Sequence, residues 1–364
     1  MSKHEFGHYY IARLDKMLGP KAINRFGQVV GATSFDPSGR AVLWQPDAKR
    51  GSKGQLCLLD DLHGPASYAI GINDQGEIIG YALDVSAPPI PRVVLWSPST
   101  HNALPSKPPE SLNFAPLLGP NFAPSSLTGS INDSGFVATN AGSSPHAALH
   151  GPKGSYVEFD NLGFYYVAAI NQQGWFTGSR TDAGILHPYC YRPKSMLDSP
   201  DAPLPPYDLT SGASYFLGSG AGFGQQGNGL SISDFDPKKG VAIAANANDN
   251  NHSEPLLWTL PQNDFVRINP ALAIAFPGPP TTDSAYAYGI NNKWQVVGWN
   301  ISRSGAYLFD HASGQAVELK TLLDKKSQEN WGLTKALDIN DFGQIIGVGW
   351  YEQQAAAFLM TPER

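Results

Sequence analysis

Apolar and polar positions alternate with a period of two along most of the chain, and one short phrase interrupts the alternation again and again. Its clearest copy runs from Ile339 to Gly347, INDFGQIIG. The run Ala336, Leu337, Asp338, Ile339 leads in, and Gln344, Ile345, Ile346, Gly347 leads out. Both flanks read as strands. Between them Asn opens a turn by bonding back to the main chain, and Gly closes it with the positive φ that a following bulge requires. Each copy therefore predicts a β-hairpin.

The copies begin at Ile23, Ile72, Ile131, Ile170, Ile290 and Ile339, and a seventh, ISDFDPKKGVAIA at Ile232, keeps the frame despite extra residues. Their intervals of 49, 59, 39, 62, 58 and 49 residues are long for a solenoid coil and suit a multi-strand blade. A second signature follows most hairpins: AVLW at Ala41, VVLW at Val93, AALH at Ala147, YCYR at Tyr189, PLLW at Pro255, AYLF at Ala306 and AAFL at Ala356. It predicts a third strand whose Trp or Phe packs between blades. Weaker fourth strands are expected from Gln55, Tyr156, Phe265 and Ala316.

Seven units of four strands predict an all-β, seven-bladed propeller. The last unit stops after three strands, and the chain opens on an unassigned strand, His8 to Met17. The N-terminal strand is therefore expected to complete the last blade and remove its open edge, making residues 1–364 a single domain.

The AxxINxxGxxxG phrase followed by an A-x-L-W strand resembles the HAF-repeat family, found mostly in bacterial surface or secreted proteins. Pro145, His146, Ala147, Ala148 and Leu149 come nearest to the motif that names it. The resemblance implies a propeller-like repeat and no common activity or catalytic residues. The N-terminus, MSKHEFGHYY, departs from the family in carrying no signal-like apolar core. A cytoplasmic location is the expectation, or a secreted one if a leader has been removed.

Composition narrows the function. Charged residues are 15% of the chain, with net charge −6 and no basic run, which argues against nucleic acid or an anionic membrane as partner. Cys57 and Cys190 fall on different units and are expected to be free and buried. No zinc-ligand spacing or GxSxG elbow is present. The GxGxxG match from Gly222 to Gly227 lies in a Gly-rich stretch leading into a strand, so it does not mark a dinucleotide site. Asp249, Asn251, His252 and Glu254 crowd one connection without the spacing of a calcium loop. No cofactor and no metal are expected.

The INxxG turns lie on one face, while the connections on the other face vary in length and residues, notably 105–126, 210–228 and 270–284. Variable connections are where sites are usually built. The expectation is one composite pocket there, biased toward units four to seven. Tyr166 and His187 are its acid or base candidates, and Arg180 and Arg303 would bind an anionic or polar group. Tyr165, His252, Tyr286, Lys335 and Glu352 complete the candidate list. The partner expected is a small molecule or glycan, bound and transformed by lyase, hydrolase or cyclase chemistry. The alternatives are a carbohydrate-binding lectin and a protein-interaction scaffold.

Overall fold

The computed structural model describes residues 6–34, 38–87, 89–112, 129–141, 146–152, 156–158, 164–182, 185–191, 226–248, 253–260, 264–267 and 284–363. Strand β1 (Tyr9–Arg13) precedes blade one, β2–β5 (Gly19–Ile23, Val29–Ala32, Ala41–Pro46, Gly54–Leu58). Blade two is β6–β9 (Ser67–Ile72, Ile78–Leu83, Pro91–Trp96, Glu110–Ser111). Blade three is β10–β13 (Gly129–Ile131, Val137–Ala141, His146–His150, Tyr156–Glu158). Blade four shows β14–β16 (Phe164–Ile170, Phe176–Asp182, Ile185–Tyr191), and residues 192–225 lie outside the described ones.

Blade five is β17–β20 (Gln226–Ile232, Val241–Asn248, Ser253–Leu260, Asp264–Arg267) and blade six is β21–β24 (Ala285–Ile290, Gln295–Asn300, Gly305–Asp310, Gln315–Glu318). Blade seven holds β25–β27 (Trp331–Ile339, Ile345–Tyr351, Gln354–Pro362). Its fourth strand is β1, paired antiparallel with β27 from Tyr9 opposite Pro362 to Arg13 opposite Phe358. The chain is thus a seven-bladed propeller closed by its N-terminal strand.

The A-x-L-W tryptophans pack between blades, as their place in the repeat implies. Trp44 shares a core cluster with Ile346 and Leu359 of blade seven, Trp96 with Val30 and Leu43 of blade one, and Trp258 with Trp175 and Cys190 of blade four. Both cysteines are free, but only Cys190 is buried. Cys57 is half-buried because β5 is the outermost strand of its blade and one side of it stays uncovered. No helix among the described residues is long and apolar enough to cross a membrane.

The Asn of the repeat does more than close its own turn. Asn340 Oδ1 accepts the N–H groups of Phe342 and Gln344, both at 3.0 Å, the turn bond expected from the sequence. Its Nδ2 meanwhile donates to Asn24 O of the next blade at 2.9 Å. The same forward bond runs from Asn24 to Asn73 O (3.1 Å), Asn73 to Asn132 O (2.9 Å), Asn132 to Asn171 O (3.1 Å), Asn171 to Ser233 O (3.0 Å) and Asn291 to Asn340 O (3.1 Å). Only the damaged copy at blade five lacks the amide, since Ser233 Oγ turns to Asp234 O. There Asn246 bridges to blade six instead, donating to Ala287 O (3.2 Å) and accepting from Ala287 N (2.8 Å).

The turn's closing residue has positive φ as predicted, for example Gly343 at 79°. In blade six Trp294 takes that place at φ 63°, a conformation unusual for a bulky residue. It is buried and packs on His311 with ring centroids 5.2 Å apart.

Candidate functional site

Six of the seven innermost strands, all but β10, carry an irregularity that a strict alternation does not reveal. Two residues before the repeat Ile, the pairing skips one position, leaving Lys21, Ile70, Ala168, Leu230, Tyr288 and Leu337 without a cross-strand partner. Such bulges re-aim the side chain at the kink. The two residues at the bulge turn toward the next innermost strand: Ile70 Cδ1 lies 2.9 Å from where a Cβ on Gly129 would stand, and Asp338 Oδ2 accepts the Ile23 N–H at 3.0 Å. Neighbouring innermost strands are in contact all the way round, so these residues line the inner ring of the propeller.

Asp338 is the acid of that ring. Desolvation pushes its pKa up to about 7, the N–H groups of Ile23 and Ile339 oppose the rise, and Asp341 adds to it. The folded protein therefore holds a proton that the unfolded chain has released, between about pH 4 and pH 7. Stability from this group is greatest below about pH 4 and falls as pH rises through 7, by an upper bound of roughly 4 kcal/mol that water in the channel reduces. Asp338→Asn is expected to flatten the decline in melting temperature between pH 4 and 7. An unchanged slope in the variant would assign the decline to other carboxyls.

The face opposite the Asn turns gathers part of the predicted site. On blade six Tyr286 and Trp299 are cross-strand partners, with rings stacked at 6.1 Å and 24°. Tyr288 also stacks on Tyr286, at 6.1 Å and 22°. From blade seven the Lys335 Nζ lies 4.0 Å from the centre of the Trp299 ring. That is close contact for a cation on an aromatic face, the type of pair that contributes about 0.5–2 kcal/mol. Trp299 Nε1 is buried with no hydrogen-bond partner among the described residues. Burial, with a smaller effect from Tyr286, pushes the Tyr288 phenol up to about 12, so it remains a proton-bearing donor at neutral pH. The result is a half-exposed aromatic wall with an ammonium at its end, suited to a ring-bearing ligand.

The other candidates stand apart from this cluster. Arg303 is exposed in the β22–β23 turn, where its N–H donates to Asn300 Oδ1 at 3.1 Å. Glu352 is exposed in the β26–β27 turn at φ 46°, and its side chain interacts with Tyr351. In blade four, Arg180 and His187 were expected on a connection but occupy strands β15 and β16, directly opposite each other in register. Tyr166 pairs with Ser179 on the adjoining strand β14, which also carries Tyr165. His252 lies outside the described residues, as do residues 113–128, 192–225 and 268–283 of the long connections.

Sequence reasoning missed Tyr288 and Lys21. The available signal was the position two before each repeat Ile, where a Tyr and a Lys stand among small and aliphatic residues. Among the described residues no group of three or more His, Cys, Asp or Glu side chains is placed to hold a metal ion.

No family model and no curated protein matches the chain. Solved propellers do resemble it. The β-propeller domain of the Trilobed protease from Pyrococcus furiosus has 8% identity and a TM-score of 0.53, over 99% of this chain and 95% of that one. YCF48 bound to D1 peptide has 10% identity and a TM-score of 0.52, over 99% and 98%. A streptogramin B lyase structure has 12% identity and a TM-score of 0.49, over 98% of both chains. At these identities the likeness shows the propeller fold alone.

Proposed function

We propose that this protein is a single-site propeller that binds a small molecule or glycan at the mouth opposite the Asn turns, against Tyr286, Tyr288 and Trp299 beside Lys335. The observation that carries the reading is the aromatic wall with its cation, found between blades six and seven. Four residues before the repeat Ile, where Tyr286 stands in blade six, blades two and four also carry Tyr (Tyr68, Tyr166), but the Tyr288 position holds Ile70 and Ala168 there, so the three-ring wall is confined to blade six. A lectin with several equal sites would repeat the wall, so one composite pocket is the better reading. The repeat phrase supports placing the chain with the HAF-repeat proteins.

Tyr286→Ala and Lys335→Met test the mouth. Titration of the intrinsic tryptophan signal with a panel of mono- and disaccharides and small aromatic compounds is expected to find a binder in the wild type. Each variant should weaken it about tenfold, or about 1.4 kcal/mol, with little change in melting temperature. Wild-type affinity in both variants would remove the site from this mouth.

A further inference from the structure

The mouth explains Lys335 but leaves a second amine without a role. Lys21 stands at the bulge of β2, in the inner ring of the blade that follows blade seven. The equivalent places in blades two, four, five and seven hold Ile70, Ala168, Leu230 and Leu337. Among the described residues the Lys21 side chain has neither an ion pair nor a hydrogen bond. On the neighbouring strand β25, Asp338 commits its two oxygens to the Ile23 and Ile339 N–H groups at 3.0 and 2.8 Å. Desolvation lowers the Lys21 pKa, which states the same cost in another form.

An enclosed amine with no counter-charge destabilises the fold, and an aliphatic side chain at this position, as in four other blades, would not. Its neighbours fit a role in ligand binding. Blades six, seven and one are consecutive, so the wall of Tyr286, Tyr288 and Trp299, then Lys335, then Lys21 form one sector of the ring. On the Asn face burial raises the pKa of Asp74 and of Asp234, and the nearby carboxylates of Asp133 and Asp341 add to the rise in both. Lys335 and Lys21 together attract an anion to the mouth.

We propose that Lys21 is the carboxylate-binding residue of the mouth site, so that the ligand is an acid: a ring that stacks on the blade six aromatics and a carboxylate that reaches the Lys21 ammonium. The inference rests on the mouth reading and adds the ligand's charge and the residue that selects it. A sugar acid and an aromatic acid share this chemistry, and matched probes separate them.

The probes are glucuronate against glucose, and benzoate against benzyl alcohol. Trace reductive methylation of the full-length protein with formaldehyde and a borane, read by peptide mass spectrometry, reports Lys21 relative to the exposed Lys325 on the outer helix. At twice its dissociation constant, at least one of the two acids is expected to slow Lys21 labelling about threefold, while its neutral counterpart does not. Which acid protects decides between the two sources.

Lys21→Met keeps most of the side-chain stem. It is expected to melt at or above the wild-type temperature and to lose the preference for acid over neutral probe in the tryptophan titration. Equal labelling of Lys21 with and without every acid overturns the proposal, and so does a Lys21→Met protein that still prefers the acid. Protection by the neutral probes as strong as by the acids also overturns it, and leaves the mouth reading standing. If no probe perturbs the tryptophan signal or Lys21 labelling, both readings fail together.

Discussion

A chain lacking residues 1–17 is expected to be insoluble, or to melt lower by on the order of 10 °C or more. The segment supplies Tyr9, Leu14 and Met17, all at most 7% exposed, and the ladder that covers the outer edge of β27. It also ties the seam beyond the strand, through Leu14 N to Ala357 O at 2.9 Å and Glu363 N to His8 O at 2.9 Å. Burial of three large side chains contributes roughly 6 kcal/mol at about 2 kcal/mol each. That is comparable to the whole stability of a typical domain, about 5–15 kcal/mol. Losing it would also leave a bare strand edge able to pair with a second molecule. Thermal melting and sedimentation of the truncated chain are the measurements. A truncated protein that melts and sediments like the full chain would refute closure by the N-terminus as a source of stability.

Asn340→Ala is the point substitution with the largest expected effect. The side chain is 5% exposed and serves four partners: Phe342 N, Gln344 N, Gln344 Oε1 at 3.1 Å and Asn24 O. The last bond crosses the junction between the final and first blades. Removing the amide leaves two N–H groups and one carbonyl underbonded in a closed place, at about 1–3 kcal/mol for each unsatisfied group before relaxation. A net loss of about 2–4 kcal/mol is the expected result, read by denaturant unfolding. Asn246→Ala, which removes the bridge between blades five and six, should cost a similar amount. A loss below about 0.5 kcal/mol in both variants would show that water replaces these bonds and that the ring of amides is not structural.

Much of this architecture is visible in the sequence because the repeat is local chemistry. Alternation, an Asn-led turn and a Gly at positive φ are all settled within about ten residues, and the phrase recurs often enough to count blades. The inter-blade amide ring is hidden for the same reason. Asn73 and Asn132 are 59 positions apart, and nothing near either one says that its Nδ2 points at its neighbour rather than at water. The bulge is hidden because it breaks the period on which the strand assignment relies, so Lys21 and Tyr288 look like ordinary strand positions.

The candidate site was legible only in part. Tyr286 and Lys335 were found because entry into an innermost strand brings a residue near the axis. Arg180 and His187 read as part of the connection between the second and third strands of unit four, whereas the hairpin of blade four extends through Asp182 and Ile185. Cys57 is expected to be buried because it falls within a strand of a blade. The outermost strand of a blade has only one neighbour, and this half-exposure has no signature in the residue order.

The amide ring also bears on how such a molecule grows. Every bond in it points the same way round, from the side chain of one blade to the carbonyl of the next, and the same Asn supplies both ends. Duplicating one unit adds one donor and one acceptor, and deleting one removes the pair, so no neighbour needs a compensating change. Blade five shows that even a unit without the donor is tolerated when an amide deeper in the blade takes over. Blade number is thus independent of this hydrogen bonding and is set by the wedge angle at which adjacent sheets pack, which leaves a gene of this kind free to gain or lose whole units in a single recombination step.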